Sequence, residues 1–398
     1  MITLNLIRQA AEVLHGVVRQ TDMIQSRGLA TGTELLLKTE NLQVTGSFKV
    51  RGAYFRMSTM TEEERRRGVV ACSAGNHAQG VALSAQQSGT PATIFIPSVA
   101  PIYKIEATKS MGADIRIVDG VYDDAYTAAR AFEAETGAVF IHPFDDPRVI
   151  AGQGTIGLEI LEQAAGLDAV ILPIGGGGLI AGVAFAIKSL NPSCKVYGVQ
   201  AAGAAGMHDS FAAKEYLTSK RVSTFADGIA VKAPGTLTYD LCSQYVDDIV
   251  TVTDDEIATS ILALMEQEKL VAEGAGAVAV AAAMFGKLPI EGKRVCAVVS
   301  GGNIDVNILA RVISRGQLAT GRIAELTLEL LDKPGQLFEV SAIIAKMGAN
   351  VTKVVHNHGG ENTDITGCYL HLTLETRNKE HIEQVVAQLR AEGYKVTQ

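Results

Sequence analysis

One lysine stands in a setting that ordinary surface lysines lack. In Thr45-Gly46-Ser47-Phe48-Lys49-Val50-Arg51-Gly52, Lys49 lies between a Gly-Ser turn and a helix-like run rich in small residues. If desolvated enough to lose its proton, such an amine can form a Schiff base with an aldehyde. Alone the motif would mean little, because most lysines are solvated; its company gives it weight. Ser73-Ala74-Gly75-Asn76-His77-Ala78-Gln79-Gly80 follows the apolar run VVAC and opens a helix, so its N–H groups and the helix dipole face an anion, here a substrate carboxylate. Gly175-Gly176-Gly177-Gly178 follows the strand-like AVILPI and precedes LIAGVAFAIKSL. Without Cβ atoms, successive N–H groups there can converge on phosphate oxygens. Ser300-Gly301-Gly302-Asn303 closes a fourth apolar run, VCAVVS. Ligands of open α/β sheets collect at the carboxyl ends of strands, and all these loops sit there, so they are expected to line one pocket.

The elements that must position them alternate. GVVACSAG, ATIFIP, DIRIVD and AVFIHP read as short strands separated by helical segments, and the pattern resumes with DAVILPI, KVYGVQ and KRVCAVVS. This is the signature of βαβ units. The expected fold is therefore α/β, with two parallel-sheet αβα units flanking one crevice. Near RGQLATG the grammar changes. AELTLELL reads as a strand, DKPGQ as a turn and LFEVSAIIAKMG as a helix; two strands, the helix NKEHIEQVVAQLRAEG and a short KVT strand follow. That order is βαββαβ, the ferredoxin-like plan. The expected domains are a catalytic unit of residues 1–320, with a smaller subdomain at about 50–150 inserted, and a separate unit of residues 322–398.

Composition narrows the function class. The chain has 398 residues, 47% of them hydrophobic, which is ample for two or three cores. A net charge of -8 and the lack of any long basic run argue against nucleic acid or an anionic membrane as partner, leaving a small metabolite. The N-terminus reads as an amphipathic helix rather than a signal peptide, and no window approaches a membrane span, so a cytoplasmic enzyme is expected. Cys72, Cys194, Cys242, Cys296 and Cys368 form no CxxC pair and read as free, buried thiols. Forty glycines cluster between apolar runs without a period, which fits ligand-cradling turns rather than low complexity.

SFKVRGA, SAGNHAQG, GGGGLIAG and SGGN, in this order and spacing, resemble the tryptophan-synthase-β fold type (fold type II) of pyridoxal-phosphate (PLP) enzymes, in particular threonine dehydratases, or threonine ammonia-lyases. The likeness runs on through HPFDDPRVIAGQGTIGLEI, TFADGIAVKAPGTLTYDL, VDDIVTVTDDEI and VAEGAGAVAVAA, covering most of residues 5–315. It implies PLP held in the crevice by Lys49, with Phe48 packed on its ring and Asn76 bonded to its 3′-oxygen. It further implies Gly175, Gly176, Gly177 and Gly178 around the phosphate and Ser300 facing the pyridine nitrogen. A neutral hydroxyl at that nitrogen favours prompt loss of a β-hydroxyl over a long-lived carbanion. Ser73, Asn76 and His77 would receive the substrate carboxylate, with Ser73 and Lys49 as the catalytic pair, and Lys49 would take the Cα proton. The implied reaction is conversion of L-threonine to 2-oxobutanoate and ammonia, and of L-serine to pyruvate, in amino-acid metabolism such as isoleucine biosynthesis.

Related serine racemases carry a second serine before the Gly-Asn-His; here Ala74 stands there and can neither donate nor accept a proton. Those racemases also hold a divalent cation through an acidic residue after the strand matching KVYGVQ, where this chain has Ala201-Ala202-Gly203, with Asp209 the nearby carboxylate. No metal is expected. His356 and His358 alternate on a strand and share a face, which reads as packed or solvated histidines rather than a zinc site. A hydroxyaspartate dehydratase or racemase of the same fold is the enzymatic alternative, since side-chain selectivity would lie in loops such as Phe144 to Pro147. A catalytically dead sensor is disfavoured by the intact Lys49 and glycine loop. Leu331-Asp332-Lys333-Pro334-Gly335-Gln336-Leu337 resembles the signature turn of ACT domains, which implies a regulatory module with a branched-chain amino acid, isoleucine or valine, as effector, and a homo-oligomer, dimer or tetramer.

Overall fold

Short apolar runs become strands, and their pairing follows the length of chain between them. In the computed structural model, which describes residues 1–100, 102–358 and 366–397, one sheet has the order Asp114–Val118, Ala92–Pro97, Val69–Cys72, Val139–Phe140, parallel throughout. Its edges are blunted: Asp114–Val118 carries alternating charged residues, and Val139–Phe140 is only two residues long. The second sheet has six strands in the order Met23–Gln25, Glu34–Lys38, Arg294–Val298, Ala169–Pro173, Lys195–Ala201, Asp248–Val252. All its pairings are parallel except the first, which runs antiparallel. The purely parallel expectation is corrected there, because residues 26–33 are too few for a crossover, which takes a dozen or more residues. Glu34–Lys38 pairs with Arg294–Val298, so the small sheet lies in the chain between neighbours of the large one.

Two helices cross at close range behind the large sheet. Pro147–Gln163 begins where the Asp146 carboxylate accepts from Arg148 N–H at 2.7 Å and Val149 N–H at 3.2 Å, with proline in the first turn. It meets Gly178–Leu190 at Gly182, where an added Cβ would overlap Ile150 C=O and lie 2.8 Å from Gly154 N. Glycine at this crossing lets the main chains touch.

Beside them lies an ion cluster out of water. Arg51 is 1% exposed and donates to both oxygens of Glu40, itself fully buried, at 2.8 Å each. It also reaches Glu159 at 2.6 and 3.0 Å, and Lys38 donates to Glu159 at 2.6 Å and to Thr21 C=O at 2.6 Å. Two cations face two carboxylates, and Arg51 with its hydrogen bonds holds the Glu40 carboxyl below its usual range against the opposing effect of burial.

The chain forms two compact units, Met1–Asp305 and Val306–Gln398, so the helix Val306–Ala319, expected with the catalytic residues, groups with the second. In that unit Ile323–Leu331, Gln336–Lys346, Asn350–His358, Gly367–Glu375, Lys379–Ala391 and Lys395–Thr397 follow as strand, helix, strand, strand, helix, strand. The sheet is antiparallel, in the order Asn350–His358, Gly367–Glu375, Ile323–Leu331, Lys395–Thr397. Its inner face, Leu326, Leu328, Leu370, Leu372 and Leu374, packs with Val340, Ile344, Val385 and Leu389. All five cysteines are unpaired by disulfides and buried. Among the described residues no helix is long and apolar enough to cross a membrane.

Arg51→Met leaves the Glu40 carboxylate buried without its main partner and should cost about 3–5 kcal/mol in urea unfolding. Lys395→Met, which removes the exposed pair with Glu329, should leave the curve unchanged. Equal effects of the two would show that the buried cluster carries no special weight.

Candidate active site

Two loops are stitched together beneath Lys49. Ser47 and Gly301 form an antiparallel bridge, Phe48 N–H donates to Ser300 C=O at 3.1 Å, and Gly302 N–H donates to Gly46 C=O at 2.9 Å. Asn303 adds a side-chain bond to Thr45 C=O at 2.8 Å. Lys49 then opens the helix Lys49–Ser58, its amine donating to Pro143 C=O at 2.9 Å and lying 5.3 Å from the centre of the Phe48 ring. Desolvation pushes its pKa down to about 8, opposed only in part by the Glu273 carboxylate. A substantial neutral fraction near physiological pH is what an amine needs to attack a carbonyl carbon.

The second motif faces the same place. Asn76 begins the helix Asn76–Ser88 directly after the strand Val69–Cys72 and donates to Glu273 Oε1 at 2.6 Å, while its Oδ1 accepts from Asn303 Nδ2 at 2.8 Å. Gly80 brings that helix against the main chain of Lys49, where an added Cβ would lie 3.1 Å from Lys49 C. Ser73 Oγ accepts from Gly75 N–H at 3.1 Å and shapes the turn. His77 behaves differently. Its ring is buried and its Nε2 lies 2.8 Å from Ile141 C=O, with desolvation pushing its pKa down to about 3. The imidazole is thus neutral and committed to the scaffold, and what His77 offers a carboxylate is its N–H in the first helical turn.

The glycine loop ends the strand Ala169–Pro173 and leads into the helix Gly178–Leu190. Among the described residues, the N–H groups of Gly175, Gly176 and Gly177 donate to no protein acceptor. Gly177 has φ +98°, a conformation that side-chain-bearing residues seldom adopt, which turns the loop into the helix. Thr238 Oγ1 donates to Gly176 C=O at 2.6 Å, and Asp145 holds Thr238 N–H at 3.1 Å, so loop and FDDP segment are fixed together. The Phe144 ring lies where a Cβ on Gly176 would be, and His142 Nδ1 accepts from Phe144 and Asp145 N–H at 3.2 and 2.7 Å. Ser300 is 3% exposed and its hydroxyl donates to Ala275 C=O at 3.3 Å, a long bond that leaves it free to turn toward a better partner.

One participant was not singled out from sequence. Glu273, in VAEGAGAVAVAA, is buried beside Asn76, and burial, then Asp227, pushes its pKa up to about 7. One acid in a run of small apolar residues was the available signal. Phe144 and Asn303 lie in loops that the sequence marked, but their particular contacts, Phe144 on Gly176 and Asn303 on Asn76, come from tertiary structure.

These residues fit pyridoxal phosphate. A desolvated amine is present for its aldehyde, an aromatic ring stands beside the amine, and three unclaimed N–H groups at a helix start suit a phosphate. The hydroxyl of Ser47, fully buried, has no partner among the described residues.

The sequence profile of the family described as pyridoxal-phosphate dependent enzyme matches residues 14–301. The L-threonine ammonia-lyase of Thermotoga maritima is 50% identical over 398 residues, covering 100% of this chain and 99% of its own. The catabolic L-threonine dehydratase of Escherichia coli K12 is 45% identical over 315 residues, 78% of this chain and 96% of that one. Among solved structures, maize serine racemase superposes with TM-score 0.75 at 35% identity over 80% of this chain and 98% of that one. With a family match over residues 14–301 and a relative 50% identical over the whole chain, the chain belongs to the family of pyridoxal-phosphate dependent enzymes.

Proposed function

We propose that this enzyme is an L-threonine ammonia-lyase, converting L-threonine to 2-oxobutanoate and ammonia and, as a secondary activity, L-serine to pyruvate. The single observation that carries the reading is the 50% identity, over both chains almost entire, to a protein named for that activity. The net reaction balances because the water lost with the β-hydroxyl returns on hydrolysis of the enamine product. Bound PLP supplies an electron sink for the electrons released at Cα.

The chain's own residues do the rest. Lys49 anchors the cofactor and moves the Cα proton; Phe48 packs on the ring; Asn76, itself tied to Glu273 and Asn303, bonds the ring oxygen. Gly175 to Gly178 hold the phosphate, and Ser300 presents a neutral hydroxyl to the pyridine nitrogen. Ser73, Asn76 and the N–H of His77 receive the substrate carboxylate. Phe144 lies against the glycine loop and limits the room beyond it. The second unit has the element order of a ferredoxin-like fold, and with the DKPGQL turn after its first strand it reads as an ACT domain that senses isoleucine or valine. The setting is cytoplasmic amino-acid metabolism, in a homo-oligomer.

Replacing Lys49 with alanine should lower turnover of L-threonine by several orders of magnitude, scored as 2-oxo acid, since anchor and base are lost together. Near-wild-type turnover in that variant would end the assignment, whereas a wild-type preference for hydroxyaspartate across a substrate panel would overturn only the choice of substrate.

Ala74→Ser adds a hydroxyl where the racemases have one, and should raise the ratio of D-serine to pyruvate formed from L-serine. Chiral analysis of the products decides; elimination intact with no D-serine would refute the argument that one face of Cα lacks a proton donor.

An effector can change activity only by binding two states of the protein unequally, a coupling typically worth about 5–150-fold in affinity. Titration with isoleucine and valine at subsaturating threonine should therefore show a response in the full chain and none in residues 1–320. The same response in both would place the effector site in the catalytic unit.

A further inference from the structure

Three segments of the second unit converge on one small cluster that the reaction does not use. His358 lies opposite Cys368 across the antiparallel pair Asn350–His358 and Gly367–Glu375, and His356 lies opposite Leu370. Side chains two apart on a strand share a face, so both imidazoles stand on the face that carries Cys368, His356 as its diagonal neighbour. Leu330 flanks Cys368 from the other side, and Asp332, two residues on, is held by its N–H to Thr366 C=O at 2.9 Å. The outcome is close. A carboxylate oxygen of Asp332, a ring nitrogen of His356 and the sulfur of Cys368 all lie within 4.8 Å of one another.

We propose that Asp332, His356 and Cys368 form a binding site for a zinc-class divalent cation, with His358 positioning the carboxylate. Ligands of a tetrahedral zinc at about 2.0–2.3 Å stand roughly 3.3–3.8 Å apart, so the set closes with a movement of about 1 Å. Asp332 and His356 are exposed and can supply it by side-chain rotation, while buried Cys368 is the fixed point. His358 Nδ1 lies 3.1 Å from Asp332 Oδ2, and its ring centre lies 4.6 Å from that of His356. A bond from His358 to one carboxylate oxygen leaves the other for the metal, the arrangement by which outer residues orient ligands. The mixed sulfur, nitrogen and oxygen set suits zinc and similar d-block ions; magnesium and calcium take oxygen ligands. On binding, the metal–sulfur bond replaces S–H and the proton leaves to solvent, with no change of oxidation state. Water completes the coordination. Such an ion would tie the edge strand Asn350–His358 to the middle strand and to the turn after Ile323–Leu331, far along the chain from Lys49.

The test uses the full-length, PLP-loaded enzyme with zinc alone, then cobalt(II), by calorimetry and visible spectroscopy. One equivalent of zinc per chain should bind tightly, and cobalt should show tetrahedral d–d bands with a thiolate charge-transfer band. His356→Ala should raise the zinc Kd by more than about 100-fold and Cys368→Ser should abolish the thiolate band. His358→Ala, which removes only the outer support, should raise Kd by about 10–100-fold. Cys368→Ser alters a buried position, so His356→Ala, at an exposed one, is the decisive variant. Zinc affinity unchanged in folded His356→Ala, or a cobalt spectrum without thiolate character, overturns the site, and neither result bears on the reaction at Lys49.

Discussion

The buried cluster of Arg51, Glu40, Glu159 and Lys38 is the constraint on which the catalytic unit turns. Arg51 stands two residues after Lys49 on the same short helix, and its guanidinium is gripped by four charge-assisted bonds at 2.6–3.0 Å. Those bonds join the turn Glu40–Leu42 and the helix Pro147–Gln163 to the base of the Lys49 helix, and the bond of Lys38 to Glu159 adds the end of the strand Glu34–Lys38. A buried ion pair adds little to stability compared with apolar packing, but it tolerates few alternative geometries. Arginine suits this use because its planar fork accepts two carboxylates in fixed directions. The helix that carries Lys49 is thereby held from behind by buried charged residues.

From that fixed helix the pocket is assembled by main-chain contact. Gly182 lies where chains approach too closely for a Cβ, Gly80 brings two helices into tight contact, and the loops at Ser47 and Gly301 pair as a short stretch of sheet. Close approach of this kind excludes water, and excluded water is why the Lys49 amine loses affinity for its proton. Packing and chemistry are the same arrangement here: a Cβ at Gly80 would crowd the main chain of Lys49 and Val50.

Much of this was legible in the sequence for a physical reason. Loops that must bind anions by their N–H groups need glycine, and loops at strand ends are announced by the apolar run before them, so Gly175 to Gly178 and Ser300 to Asn303 stood out. The strand order was not legible, since Glu34–Lys38 joins Arg294–Val298 across more than half of the chain. Nor was the antiparallel edge Met23–Gln25, which a short loop decides. His77 shows the limit most clearly: its place in SAGNHAQG suggested a ligand, whereas its ring serves Ile141 C=O. Cys368 read as a buried hydrophobe, and its neighbours Asp332 and His356 come from segments that only the antiparallel register brings together.

Around Lys49 the titratable groups are shifted mainly by burial. His77 and His142 are both held neutral by burial, with pKa values near 3 and 4, so neither supplies a fixed positive charge above mildly acidic pH. Lys49, brought down to about 8, and Glu273, brought up to about 7, approach each other from opposite ends of the scale. Each opposes the other's shift, since the lysine cation favours the carboxylate and the carboxylate favours the cation. For Glu273 the Lys49 cation counts for less than Asp227 and Lys104. Asn76 donates to Glu273 and therefore also feels which form is present. Such a site can meet an anionic ligand with N–H dipoles, and it leaves the Lys49 amine able to gain or lose a proton near neutrality.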